Sequence, residues 1–354
     1  MATKELRNYG KLGGTPAGDK TTWLRAVADC RSGDELHLAY LAGQNDVKLP
    51  AGGANRKSGV SFAIDEAVRL FPQSRAESFP GANATGILFG LGNTNGRGKG
   101  DYAGKWQIVL DPSMNPGCGP HTSVMRFTSA SQIRFEHLAI KSSAQHNDAT
   151  GQPGPNANTV ASFAYPSAGK TPCHHIYLLD VFNDTCTAGY GLCQVQSGND
   201  LYFTDIKCHG GTCLRIEQDA GQLMIINRLT AEGVWARFGN CAVQLNAHGH
   251  RATGIKVTKV TAQNMMRALR LDQKDSGSIT GVAVRGGPGA QVKTRPGSPS
   301  VWYKYATSES VLDPDGDSPG GLLRVSDVYQ EGSFTRGTQG FPSPIPAGMW
   351  GAGF

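Results

Sequence analysis

The sequence predicts an all-β fold, a right-handed parallel β-helix closed at its N-terminal end by a capping helix. Three observations predict it. From about residue 130 six short apolar strands follow one another: "QIRFEHLAI", "HIYLLDVFN", "DLYFTDIKC", "QLMIINRLT", "GIKVTKVTA" and "SITGVAVRG". After the first they recur every 22 to 32 residues, and between them lies a second family, "GLCQVQSG", "GTCLRIEQD", "CAVQLNAHG" and "ALRLDQKD". The chain also holds 47 glycines, only 8% aromatic residues and no long helical period through its middle, a composition of turns and strands. Two short strands per repeat mark a coil that cannot bury its apolar face alone but shares one core with its neighbours. A β-sandwich also shows short strands at regular spacing; the two recurring families favour the solenoid.

Taken in order, the elements begin with a helix. In "TTWLRAVADCRSGDELHL" a cap at Thr21 or Thr22 precedes Trp23, Leu24, Ala26 and Val27 at helical spacing. Ser32-Gly33-Asp34 then turns the chain into a short strand. Such a helix can plug the open end of a strand stack, where backbone would otherwise stand unpaired. Residues 42–105 are rich in Gly and Asn and carry one helical patch, "FAIDEAVRLF". No stretch reads as an interdomain linker, so one repetitive domain is expected over 1–354. It divides into a cap and first coils (1–110), central coils with the functional face (111–310), and a last coil and tail (311–354).

The formal charge of +6 points to an anionic partner. Basic residues are interleaved with acids rather than gathered in a stripe, which speaks against nucleic acid. No apolar run reaches the length of a membrane span. The start, "MATKELRNYG", lacks the apolar stretch of a signal peptide, so a secreted form would have been trimmed. Secretion is nevertheless the reading the eight cysteines favour: Cys186 with Cys193, and Cys208 with Cys213, are close enough to close small loops in an oxidising, extracellular compartment. Paired C-x-x-C spacing is absent, which excludes a zinc framework. The oligomeric state leaves no mark on the sequence.

Stacking the second family on its inward aliphatics, Val195, Ile216, Leu245 and Leu271, defines a grid on the outward face. The position before each holds Gln194, Arg215, Gln244 and Arg270; the position after holds Gln196, Glu217, Asn246 and Asp272. Two residues further on stand Gly198, Asp219, His248 and Lys274. Neighbouring strands lie about 4.8 Å apart, so these side chains would share one patch. A polar ladder can simply cover a sheet, with Arg215 neutralising Glu217. Routine solvation, however, would favour Lys, Thr and Ser over this mixture of acids, amides, histidine and cations.

Glu217 and Asp219 are the candidate acid–base pair. Residues i and i+2 of a strand are separated by about 6.6 Å. Inverting glycosidases keep their carboxyls about 6.5–9.5 Å apart to admit a water, and retaining ones about 5–5.5 Å. An E-x-D strand therefore suits inversion, one carboxyl protonating the leaving oxygen while the other activates water on the far side of the sugar. Glu217, flanked by Gln196 and Asn246, suits the acid. Asp219 lies beside His248, whose charge would help hold it ionised as the base. Arg215 favours the ionised form of Glu217 unless a substrate anion engages it.

This constellation resembles the iota-carrageenases, glycoside hydrolase family 82. The resemblance covers roughly residues 130–290 and rests on the E-x-D of Glu217 and Asp219. It adds a glutamine one coil earlier, Gln194 with Gln196 as fallback, and a histidine one coil later, His248 with His250 close enough to compete. It implies an endo-acting enzyme that cuts β-1,4 linkages of a sulfated galactan with inversion. Gln194 is then associated with the catalytic water and a bound anion. No cofactor is implied, and carrageenan, an anionic sulfated polysaccharide, is the implied partner.

Further features fit an anionic polymer. Arg215, Arg270, Lys274 and Arg285 could contact sulfate esters, Arg through paired donors; Arg285 equally fits plain surface solubility. Gln196, Gln244 and Asn246 would line the same face. Trp302 and Tyr303 in "VWYKYA" could stack on sugar rings or pack as an edge strand. "DPDGDSPGG" opens like a calcium loop, a possible structural ion site, but has Arg324 where the closing acid belongs, and a turn is the simpler reading. Two rival functions share the fold: a polysaccharide lyase, kept alive by Lys274 and Asp272, and a tail-fibre or adhesin β-helix that binds glycan without cutting it. The N-T-D, D-D and G-H-G signatures of polygalacturonase-type hydrolases are absent, and "HGH" at 248–250 is not the last of them.

Overall fold

The computed structural model describes residues 2–49, 57–72, 76–82, 84–110, 123–142, 159–163, 173–184, 192–195, 198–209, 213–217, 224–232, 239–246, 254–263, 265–272, 277–285, 310–315 and 323–331. Every strand pair is parallel. The first sheet runs from Thr3–Glu5 through Glu35–Leu38, Ser61–Ile64, Thr85–Leu91, Ser131–Ser142, Cys173–Asp184, Gly198–His209, Met224–Glu232, Ile255–Gln263 and Gly277–Arg285 to Leu323–Glu331. Asp46–Leu49, Arg69–Pro72 and Trp106–Leu110 join it beside the second half of Ser131–Ser142. The second sheet orders Ala76–Ala82, Ser123–Thr128, Thr159–Phe163, Cys193–Val195, Leu214–Glu217, Gly239–Asn246, Met265–Asp272 and Ser310–Asp315. Chain order matches spatial order in both sheets, as a right-handed parallel β-helix requires.

The expected two strands per coil become three flanks. Each long strand of the first sheet bends at a residue in the left-handed conformation: His137 (φ 54°), Asp180 (51°), Asp205 (56°), Arg228 (55°), Lys259 (56°) and Gly281 (68°); the three longest strands carry a second such residue near their start, Gln132 (55°), His175 (56°) and Asp200 (55°). The pairing register skips each of these residues. The bend also shifts the side-chain parity. Ile133 and Phe135 are buried before it, Leu138 and Ile140 after it, so two consecutive residues face outward at the corner. Charge pairs stack down this corner: His137 Nδ1 lies 2.7 Å from Asp180, Lys105 Nζ 2.6 Å from Asp180, and Arg228 grips Asp205.

The capping helix is Pro16–Asp29, and it starts earlier than the sequence reading placed it. Thr15 is its N-cap, with Oγ1 accepting from the Gly18 amide at 3.2 Å, and Pro16 takes the first turn, where a missing N–H costs nothing. Trp23, Ala26 and Val27 are buried as expected, whereas Leu24 is 39% exposed. Trp23 stacks on Phe62 at 5.5 Å, and the pile continues through Phe89 to Phe135 inside the coils. Asp19, fully buried on the helix, accepts the Lys48 amide at 2.7 Å. A helix side chain thus satisfies backbone on the terminal strand Asp46–Leu49, which otherwise offers an open edge.

"FAIDEAVRLF" is not helical. Ser61–Ile64 and Arg69–Pro72 are strands, joined by a corner at Asp65-Glu66-Ala67 with Ala67 at φ 63°. Phe62, Ile64, Val68 and Leu70 are buried with strand alternation on either side of that corner, which a helical window misreads as one apolar face. Glu66, 2% exposed, holds the following segment: its carboxylate accepts the amides of Asn95, Gly96, Gly98 and Gly104 at 2.7–3.0 Å. Burial alone would raise its pKa, but these backbone donors outweigh it and hold Glu66 below the usual glutamate range. The segment then docks on the first sheet, where Tyr102 donates to Asp184 at 2.6 Å and lies edge-on to Phe182.

Cys208, in Gly198–His209 of the first sheet, and Cys213, immediately before Leu214–Glu217 of the second, form a disulfide. The pairing of Cys193 with Cys186 does not occur. Cys193 is a free thiol, fully buried on the inward side of its strand. The first three residues of "DPDGDSPGG", Asp313 to Asp315, end the strand Ser310–Asp315, which pairs with Met265–Asp272; the rest of the motif, Asp317 included, lies outside the described residues.

Candidate active site

The second sheet carries the stacked row that the sequence defines. Val195 pairs with Ile216, and Ile216 with Leu245; Gln244 pairs with Arg270, which sets Leu245 opposite Leu271. On the neighbouring positions Gln194 pairs with Arg215, Arg215 with Gln244, Gln244 with Arg270, and Arg270 with Asp313. Successive members are one strand spacing apart, about 4.8 Å. Glu217 ends its strand directly opposite Asn246.

Burial explains the local geometry. Leu214 and Ile216 are 0% and 2% exposed and anchor the strand in the core, while Arg215 between them is only half-buried. Cys213, immediately before the strand, is tied to Cys208 on the preceding flank. The strand that ends on Glu217 is therefore fixed at its start by a covalent link and along its length by core packing.

Gln196, Asp219, His248, Lys274, Trp302 and Tyr303 lie outside the described residues. Gln194, Glu217, Arg215, Gln244, Asn246 and Arg270 are brought together on adjoining strands of one sheet. Arg285 is not with them: it ends Gly277–Arg285 in the first sheet, where it pairs with Gln263 and Glu331. Its place in a first-family strand was visible in the repeat, which the shared positive charge overrode. Among the described residues no group of three His, Cys, Asp or Glu side chains converges as a metal site.

The row is longer than the four coils legible in the sequence. Ser162 pairs with Gln194, and Arg126 with Ser162, extending it toward the N-terminal end. At the other end Asp313 and Asp315 pair with Arg270 and Asp272. The strands "SVMRFT" and "TVASF" repeat the same alternation, but long intervening segments separate them from the regular period. That alternation was the available signal.

No family model and no curated protein matches the sequence. Among solved structures the chain is similar to a 1,3-α-1,4-β-D-galactose-4-sulfate-3,6-anhydro-D-galactose-2-sulfate 4-galactohydrolase. The TM-score is 0.60 at 14% identity, over 94% of this chain and 88% of that one. It is also similar to a family 28 exopolygalacturonase of Yersinia enterocolitica, with a TM-score of 0.48 at 11% identity over 94% of this chain and 66% of that one. The first likeness shows the fold: the chain is a right-handed parallel β-helix with an N-terminal capping helix. No helix among the described residues is long and apolar enough to cross a membrane.

Proposed function

We propose that the chain is an endo-acting glycoside hydrolase that cleaves β-1,4 linkages of a sulfated galactan, iota-carrageenan, with inversion and outside the cell. The observation that carries this reading is the register of the second sheet. Gln194 stands one strand before Arg215, and Glu217 two residues beyond Arg215 is opposite Asn246. The likeness to a galactohydrolase of a sulfated galactan supports it.

Strand alternation would put Glu217 on the same face as Arg215, and Asp219 would follow two residues on. Glu217 protonates the glycosidic oxygen as the bond to the anomeric carbon breaks. Asp219 takes a proton from the water that attacks the same carbon from the opposite face, so the β-linkage yields an α-anomer. Gln194 holds that water or an anion, and His248 keeps Asp219 ionised. Arg215, Arg270 and Lys274 engage sulfate esters, which draws the Arg215 charge away from Glu217 and so favours its role as proton donor. Gln196, Gln244 and Asn246 hydrogen-bond sugar hydroxyls. Trp302 and Tyr303 stack on sugar rings, and Arg285 contacts the polymer outside the row. The chemistry needs no cofactor, and any calcium would be structural.

The test is reducing-end release from kappa-, iota- and lambda-carrageenan, agarose and pectate. Iota-carrageenan should be cut, its first product should be the α-anomer by NMR, and Glu217→Gln should lower turnover at least 1,000-fold, within the range of losing a general acid. An unsaturated product absorbing in the ultraviolet would instead assign a lyase, and binding without cleavage a glycan-binding β-helix.

A further inference from the structure

A second polar site lies at the N-terminal end, on the other sheet. It is a cleft of roughly 500 Å³ between the terminal strands Asp46–Leu49 and Arg69–Pro72, Tyr40 with the turn that follows it, and the segment held by Glu66. That volume falls within the range of about 300–1,000 Å³ common for small-ligand sites. Three cations line it, Lys48, Arg69 and Arg97, against one carboxylate, Asp46.

The carboxylate is already committed. Arg69 takes both oxygens of Asp46, Nε at 2.7 Å and Nη2 at 2.6 Å. Among the described residues no carboxylate stands within ion-pair distance of the other two cations. Lys48 is 9% exposed, and its ammonium donates to a single neutral acceptor, the Asp46 carbonyl, at 3.2 Å. A charged ammonium removed from water is expensive unless it is paired. The Arg97 guanidinium lies 4.5 Å above the Tyr40 ring, an arrangement that fixes its plane and leaves its N–H edge for a planar or tetrahedral anion. Gln107, in register with Arg69, adds an amide to the floor.

We propose that this cleft binds the sulfate-bearing sugar of an anionic polysaccharide, as a holding site separate from the Glu217 row. Lys48 and Arg97 clamp the sulfate, while Gln107 and the wall of Tyr40 meet the sugar hydroxyls and ring. The site stands at the opposite end of the helix from Arg270 and on a different sheet, so a long polymer could occupy both while a short oligosaccharide could not. The sulfated ligand rests on the hydrolase reading; the existence of an anionic-sugar site here does not.

Calorimetric titration of the full-length Glu217→Gln protein tests it, with sulfated, carboxylated and neutral galactan oligosaccharides and with sodium sulfate alone. Arg97 is exposed on its loop, so Arg97→Ala should fold; Lys48→Met is the second variant. The expected result is a binding event for the sulfated oligosaccharide that weakens about tenfold in either variant. Hydrolysis of a short substrate by the Glu217-containing protein should be untouched by Arg97→Ala. Binding retained unchanged in Arg97→Ala overturns the site, as does equal affinity for the neutral oligosaccharide or for sulfate alone. A preference for the carboxylated sugar overturns the sulfate assignment. Loss of hydrolysis in wild type with this binding intact sinks the hydrolase reading and leaves the cleft standing.

Discussion

Glu66 shows how one side chain can hold a stretch of chain whose regular structure is limited to the short 3-10 turn Gly100–Tyr102. It meets four backbone amides that no strand or helix would otherwise satisfy. A neutral amide in its place loses charge-assisted bonds and turns an NH2 group toward donors. Glu66→Gln should therefore destabilise the protein by about 1.5–3 kcal/mol, the range for hydrogen bonds to a charged group, read as a lowered Tm. The pH dependence follows from the sign of the shift. Because the folded-state pKa is depressed, the stabilisation is complete above the ordinary glutamate pKa of about 4.3 and disappears as pH falls through the folded value. Wild type should lose Tm steeply below about pH 4, and the variant less steeply. Gly98 belongs to the same arrangement, since a Cβ there would meet the Tyr102 carbonyl at 2.2 Å. None of this was legible locally: "DEA" reads as the middle of an amphipathic helix, and its partners lie 29 to 38 residues away.

At the scale of the element, the corner column decides how a strand becomes a coil. His, Asp, Asp, Arg, Lys and Gly occupy the same place in six successive repeats, and Asp and His are among the side chains that tolerate left-handed backbone best. Gly281→Val would force a β-branched residue into φ 68° with its Cβ about 3.3 Å from the Lys259 amide. The expected cost is about 1–3 kcal/mol, measured by chemical denaturation, and no loss in that assay would mean the bend is elastic. The six residues stand inside the quoted repeats, each of which reads from sequence as one short apolar strand. A polar residue between two buried runs of opposite parity was the missed sign. The helix start was missed in the same way: Thr15-Pro16 is a strong cap signal, and the later threonines drew attention because they adjoin the apolar residues.

For the molecule as a whole, stacking propagates from one end. The pile Trp23–Phe62–Phe89–Phe135 links the cap to the coils, and Asp19 and Arg7 bind the backbone of the first turns and strands. Trp23→Ala should cost about 3–5 kcal/mol, as expected for a buried indole. It should also expose the first coil, so that light scattering reports self-association through the uncovered edge; a monomer of unchanged stability would show that the cap is dispensable. Packing at the other end of the scale explains the buried thiols. Cys173 has its pKa pushed up to about 11 by burial, which keeps it a neutral thiol at ordinary pH.

The sequence by itself determined the solenoid, the register of the second sheet, and the row from Gln194 to Arg270 with Glu217 beside Asn246. It could do so because all three depend on a repeat in which each coil meets only its neighbours, so period and alternation carry the information. Tertiary structure decided the three-flanked cross-section, the segment gathered by Glu66, the separation of Arg285 from the row and the cationic cleft under Arg97. Those features join residues from different coils and from outside the repeat, where no spacing in the chain marks which backbone amide, carboxylate or ring will stand opposite.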